Sequence, residues 1–187
     1  VTVFLDGETP KATTVTRAAD TSSNITSLDL GDLVFAIRHE DAGPVTNTNL
    51  NQYDNACSAG LGDSDILFCV NGGNLTVSDG YLLTVQSGDT FTPGGTVTTS
   101  PSASGTNSNW DGDLVLYGGL GMGTNALSIG GDLNITGGAI TFSSGQVTTF
   151  TATATGHDIA DSTTNFEQLV FDGSGGGWAV RSAMQVN

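Results

Sequence analysis

The sequence predicts an all-β fold and, within that class, a right-handed parallel β-helix (β-solenoid) with rungs of about 18–20 residues. The first observation is a returning apolar strand. Leu75-Thr-Val77, Leu114-Val-Leu116, Leu133-Asn-Ile135 and Leu169-Val-Phe171 read as one position on successive rungs. Leu114 to Leu133 is 19 residues, and Leu133 to Leu169 is 36, two steps of 18. The second is repeated turn chemistry, Gly112-Asp113-Leu114 and Gly131-Asp132-Leu133 being one tripeptide used twice. The third is composition: 27 Gly and 4 Pro among 187 residues rich in Thr, Ser, Asn and Asp. Glycine and Asn accept positive φ in tight turns, while Thr and Val suit pleated surfaces. No window sustains a helical period; even Leu28 to His39 carries Gly31 and mostly alternates.

Residues 1–45 are expected to cap the first rung, because an open strand edge invites pairing with other chains. They hold Lys11, Arg17 and Arg38, three of the four basic residues, and strand candidates Val1 to Leu5 and Leu33 to Ile37. A sharper alternative makes the first strand, with Val1, Val3 and Leu5, an exchanged strand that completes a neighbouring subunit's sheet. Residues 46–65 are polar and turn-rich, so a loop. Cys57 and Cys69, the only cysteines, have eleven residues between them. A pair closing a short loop in this Lys-poor chain suggests a disulfide and an oxidising compartment. Residues 66–187 are the solenoid, with Leu114, Leu116, Leu133, Ile135, Leu169 and Phe171 expected in its core.

Sixteen Asp and three Glu face four Lys and Arg, a formal charge of −15. Phosphate binding needs clustered cations, so nucleic acid is disfavoured, and so is attachment to anionic lipid. No apolar run approaches the ~20 residues that span a bilayer. The chain opens without an initiator Met or a signal-peptide pattern and reads as a processed protein or a piece of a longer one. Its expected location is extracellular or at a cell surface.

Asn107-Ser-Asn109-Trp-Asp111-Gly-Asp113 is the strongest site candidate. Oxygen side chains at alternate residues followed by Gly resemble the opening of a calcium loop, with Asn107, Asn109, Asp111 and Asp113 as ligands. Asn stands in place of the first Asp, and Gly118 falls where a bidentate Glu belongs. Asp63 and Asp65 are a second acidic pair. Trp110 and Trp178, with Tyr117, offer a platform that could stack on sugar rings, although covering rung ends or the apolar core is the more ordinary use of such residues. Thr149, Thr151, Thr153 and Thr155 alternate as an ice-binding row would, with partial company from Thr96, Thr98 and Thr99. Catalytic constellations are poor. His39 and His157 are the only histidines, and no Gly-x-Ser-x-Gly elbow occurs. Gly173-Ser-Gly-Gly-Gly177 lacks the Lys of a phosphate cradle.

Gly131-Asp-Leu-Asn-Ile-Thr-Gly-Gly138, Leu169-Val-Phe-Asp-Gly-Ser-Gly-Gly-Gly-Trp178 and Ser87-Gly-Asp-Thr-Phe-Thr-Pro-Gly-Gly95 resemble the parallel β-helix repeats of large secreted bacterial surface proteins of the adhesin kind. The likeness covers roughly residues 66–187 and implies a stalk or adhesive surface, with no catalytic motif to carry over. The expected role is a non-catalytic structural or adhesive module of an extracellular protein or fibre, whose partners are copies of itself, neighbouring domains or glycans. Two alternatives are a homopolymeric filament joined by N-terminal strand exchange, and a carbohydrate-binding module or carbohydrate-active β-helix.

Overall fold

A computed structural model describes the chain except residues 6, 8, 27, 29, 42, 52–66, 102–111 and 162. The described residues are almost all β, and most strand pairs are parallel. β1 (Thr2–Phe4) pairs antiparallel with β2 (Thr13–Arg17), and β2 pairs parallel with β3 (Val34–His39). The two-residue β4 (Val45–Thr46) leads into α1 (Asn47–Leu50), a single helical turn.

β5 (Phe68–Asn71) and β6 (Asn74–Val77) then form an antiparallel hairpin across Gly72-Gly73. Both glycines have positive φ, 57° and 90°, as a two-residue hairpin turn demands. Nine strands follow in threes: β7 (Leu82–Val85), β8 (Thr90–Thr92) and β9 (Val97–Thr99); β10 (Leu114–Leu116), β11 (Gly119–Gly123) and β12 (Leu127–Ile129); β13 (Leu133–Ile135), β14 (Ala139–Phe142) and β15 (Val147–Phe150). The chain ends with β16 (Thr155–Ala160), β17 (Asn165–Phe166), β18 (Gln168–Phe171), β19 (Gly177–Val180) and β20 (Gln185–Val186).

Within each group of three, the strands visit three sheets in the same order. The first sheet runs β1-β2-β3-β7-β10-β13-β16-β19, the second β14-β11-β8-β4, and the third β18-β15-β12-β9-β6-β5, while β17 and β20 pair separately. Alternation along each strand sends every second side chain inward. Inward columns therefore stack in register: Phe35, Leu83, Leu114, Leu133 and Ile159 on the first sheet; Val45, Phe91, Leu120 and Ile140 on the second. On the third, Ile129, Phe150 and Phe171 align. Most of these side chains are fully buried, and one core runs through the stack.

The register corrects the expected repeat. Leu114 and Leu133 are partners, as their shared tripeptide predicts. Leu75 and Leu169 are not on that column; they lie on the third sheet, partnered by Val97 and Thr148. A group of three strands uses the same Leu-x-aliphatic pattern more than once, so the motif recurs between sheets as well as between rungs. The step is also uneven: along the first sheet, Leu83, Leu114, Leu133 and Ile159 are spaced by 31, 19 and 26 residues. Phe171, expected in the core, is 50% exposed, and Ile135 and Leu169 are partly buried. Phe171 and Val180 lie on β18 and β19, the last strands of their sheets, where a side of each column is open.

The 1–45 segment adds β2 and β3 to the first sheet and lays β1 antiparallel along its edge. Val3 pairs with Thr14 of the same chain. No helix among the described residues is long and apolar enough to cross a membrane.

Candidate functional site

A ladder of polar side chains runs along the first sheet. Asp113, Asp132 and Asp158 each stand immediately before a member of one inward column, Leu114, Leu133 and Ile159. Backbone pairing runs one way: Leu83 N–H donates to the Asp113 carbonyl at 3.0 Å, and Leu114 N–H to the Asp132 carbonyl at 2.9 Å. Carboxylates answer in the other direction. Asp113 Oδ1 accepts the Asp132 N–H at 2.7 Å, and Asp132 Oδ1 accepts the Asp158 N–H at 3.1 Å. Each acid thus satisfies a backbone donor of the next strand, a charge-assisted bond stronger than a neutral one. Just past β19 a guanidinium replaces the N–H: Arg181 Nε donates to Asp158 Oδ1 at 2.8 Å.

His157 joins this ladder from β16. Its side chain is 2% exposed, and Nδ1 lies 2.9 Å from Asp132 Oδ1. Trp178 is its register partner on β19, with ring centroids 6.0 Å apart, and donates Nε1–H to the Gly131 carbonyl at 3.3 Å. Ligand atoms of Asp113, Asp132 and His157 all lie within 4.8 Å of one another. One imidazole with two carboxylates suits a transition metal better than calcium, which takes an all-oxygen shell. The same atoms are nevertheless spent on the ladder, and a metal would have to displace the His157–Asp132 contact. Catalysis by this His–Asp pair would need a hydroxyl nucleophile at the other ring nitrogen. No hydrogen bond of that kind occurs among the described residues, and burial closes the ring to a substrate.

The second histidine sits at the corner between the first and second sheets. His39 Nε2 accepts the Thr90 N–H at 3.0 Å, and Nδ1 lies 3.5 Å from Asp89 Oδ1. Burial pushes the Asp89 carboxyl above its ordinary value, and the neighbouring His39 pulls the other way. Asp20 is the opposite case: side-chain and backbone donors of Ser22 and Ser23 hold its carboxyl well below the usual range.

Of the proposed calcium ligands, Asn107, Asn109 and Asp111 lie outside the described residues, as do Asp63, Asp65 and Trp110. Asp113 is 5% exposed and bound into the ladder. Trp178 packs edge-on to Phe150 at 5.8 Å and beside Phe171 at 5.3 Å, half-buried within an aromatic group. Cys69 is in a disulfide, and no free cysteine occurs among the described residues. Its expected partner Cys57 lies outside them. Thr149 has outward company in register, Ser128, Thr98 and Thr76, which form one column across four strands. Thr155 begins a strand of the first sheet instead.

The sequence signal for Asp113 and Asp132 was the shared Gly-Asp-Leu. Asp158 and His157 escaped it because that step is 26 residues and Gly-Asp-Leu becomes His-Asp-Ile. No family model, curated protein or solved structure matches this chain.

Proposed function

We propose that the chain is a non-catalytic structural module of an extracellular or cell-surface protein or fibre, built as a right-handed parallel β-helix. The observation that carries this reading is the column from Phe35 through Leu83, Leu114 and Leu133 to Ile159, in register across five strands. Such stacking makes a rigid rod whose length grows with each rung and whose stability is a sum of neighbour contacts. The polar groups along it are spent on holding rungs together. Acidity, scarce Lys and Arg, and a disulfide at Cys69 support an oxidising extracellular setting.

Small-angle X-ray scattering of the purified chain should give the pair-distance profile of a rod or a fibre. Incubation with polysaccharides should release no new reducing ends. A globular profile would sink the structural reading, and polysaccharide cleavage would replace it with the enzymatic one.

The filament alternative has one observation of its own. β1 lies at the edge of the eight-stranded sheet, held antiparallel to β2, where the same strand from another copy could pair. Deleting residues 1–5 should then abolish polymers and spare the monomer's fold. Polymers that survive the deletion would remove the alternative.

A further inference from the structure

The corner where the first sheet passes to the second is floored by glycine. Gly119 and Ala139 are register partners, so Gly118 and Gly138 lie one rung apart at the same place. A Cβ on Gly118 would collide with the carbonyl oxygens of Gln86 and Asp89, and one on Gly138 with the carbonyl of Gly118. Close stacking of the turns therefore forbids side chains here, and the bare backbone leaves an open groove of about 340 Å³. Ser87, Asp89 and Tyr117 line it with the glycines.

Tyr117 is 47% exposed although it follows a fully buried strand residue, Leu116. Its base is fixed, because the Tyr117 and Gly118 N–H groups both donate to the Val85 carbonyl, at 3.1 and 3.0 Å. Asp89 is held from behind by His39, and its side chain keeps 13% exposure. Burial raises its carboxyl, as in many clefts that bind ligands. No Lys or Arg lines the groove.

We propose that this corner is a subsite for a neutral saccharide. A sugar ring has an apolar C–H face and a hydroxyl rim. The exposed Tyr117 ring offers a flat apolar partner with a polar tip, and the Ser87 hydroxyl and Asp89 carboxylate offer hydrogen bonds to the rim. The groove volume is at the small end of ligand sites, the size of one or two rings. A net charge of −15 and a groove without cations select against sialylated or uronic-acid glycans. The inference places the sugar contact at Tyr117 rather than at Trp178, which is packed against Phe150 and Phe171. It rests on the surface-exposed setting of the proposed function, not on the rod shape, so a globular scattering profile would leave it standing.

The test is an array of neutral and acidic oligosaccharides probed with the whole chain, followed by calorimetric titration with the best neutral binder. Neutral glycans should bind, and Tyr117→Ala should weaken them about tenfold or more. Tyr117→Phe should keep most of the affinity, and Asp89→Asn should lose part of it. Thermal melts of all three variants check folding, and two-dimensional amide spectra of the native chain should place the perturbed signals at residues 87–89 and 117–119. Silence across the array, a preference for acidic glycans, unchanged affinity in Tyr117→Ala, or perturbations elsewhere would each overturn the proposal.

Discussion

The carboxylate of Asp113 accepts the backbone N–H of Asp132 at 2.7 Å, joining the entries of β10 and β13 through a side chain. Asp132 repeats the arrangement toward Asp158. Like charges stacked on adjacent strands repel; here N–H dipoles, His157 and Arg181 oppose that repulsion.

Asp113→Ala should cost about 1–2 kcal/mol, because it leaves the part-buried Asp132 N–H without its charged acceptor. Asp113→Asn keeps an oxygen acceptor and should cost less. Urea denaturation of both variants tests the order, and equal losses would mean that the carboxylate's acceptor role is not what stabilises the corner.

Leu133 is fully buried on the first-sheet column, whereas Leu169 is only partly buried on the third sheet. Leu133→Ala should lose about 2–5 kcal/mol, and Leu169→Ala distinctly less. Comparable losses would contradict the assigned register.

Gly138→Ala should destabilise by about 1–3 kcal/mol, since the new methyl meets a backbone carbonyl that cannot move without shifting a rung. A melting temperature matching that of the native chain would contradict the close stacking of Gly118 and Gly138.

Asp89 and Asp20 should bend the pH–stability curve in opposite directions. The Asp89 carboxyl is raised above 3.8, so its contribution is fully present below that value and is lost as pH rises through the folded-state value. Asp20 is lowered, so its contribution is present above 3.8 and is lost as pH falls toward the folded-state value. Relative to the native chain, Asp89→Asn should gain stability as pH rises from 3 to 6, and Asp20→Asn should lose it. Parallel curves would refute both assignments.

The β class, the stacking and one register pair were readable because Gly-Asp-Leu recurs with Leu114 and Leu133 truly opposed. The phase of the other rungs was not. Leu-x-aliphatic triplets occupy both the first and third sheets, so Leu75 and Leu169 aliased onto a column to which they do not belong. Asn71-Gly-Gly-Asn74 did carry a readable hairpin signal, yet it falls where a parallel rung was expected. His157 gave no local sign of its role, because its partner Asp132 lies 25 residues away and meets it only through the pairing of β13 with β16. Tyr117 is visible in the sequence as an aromatic, but the Gly118–Gly138 floor beside it depends on stacking that no local pattern states.

The register itself is tested most directly by disulfide trapping. Asn134 partners Ala160 on the first sheet, whereas Ala152, 18 residues on, lies just past β15 of the third. Adjacent strands lie about 4.8 Å apart, within reach of a disulfide. Under mild oxidation, Asn134→Cys with Ala160→Cys should cross-link readily within one chain, and Asn134→Cys with Ala152→Cys, one even 18-residue step away, should not. The reverse result would restore an even 18-residue step and contradict the 26-residue step from Leu133 to Ile159 and the three-sheet order built on it.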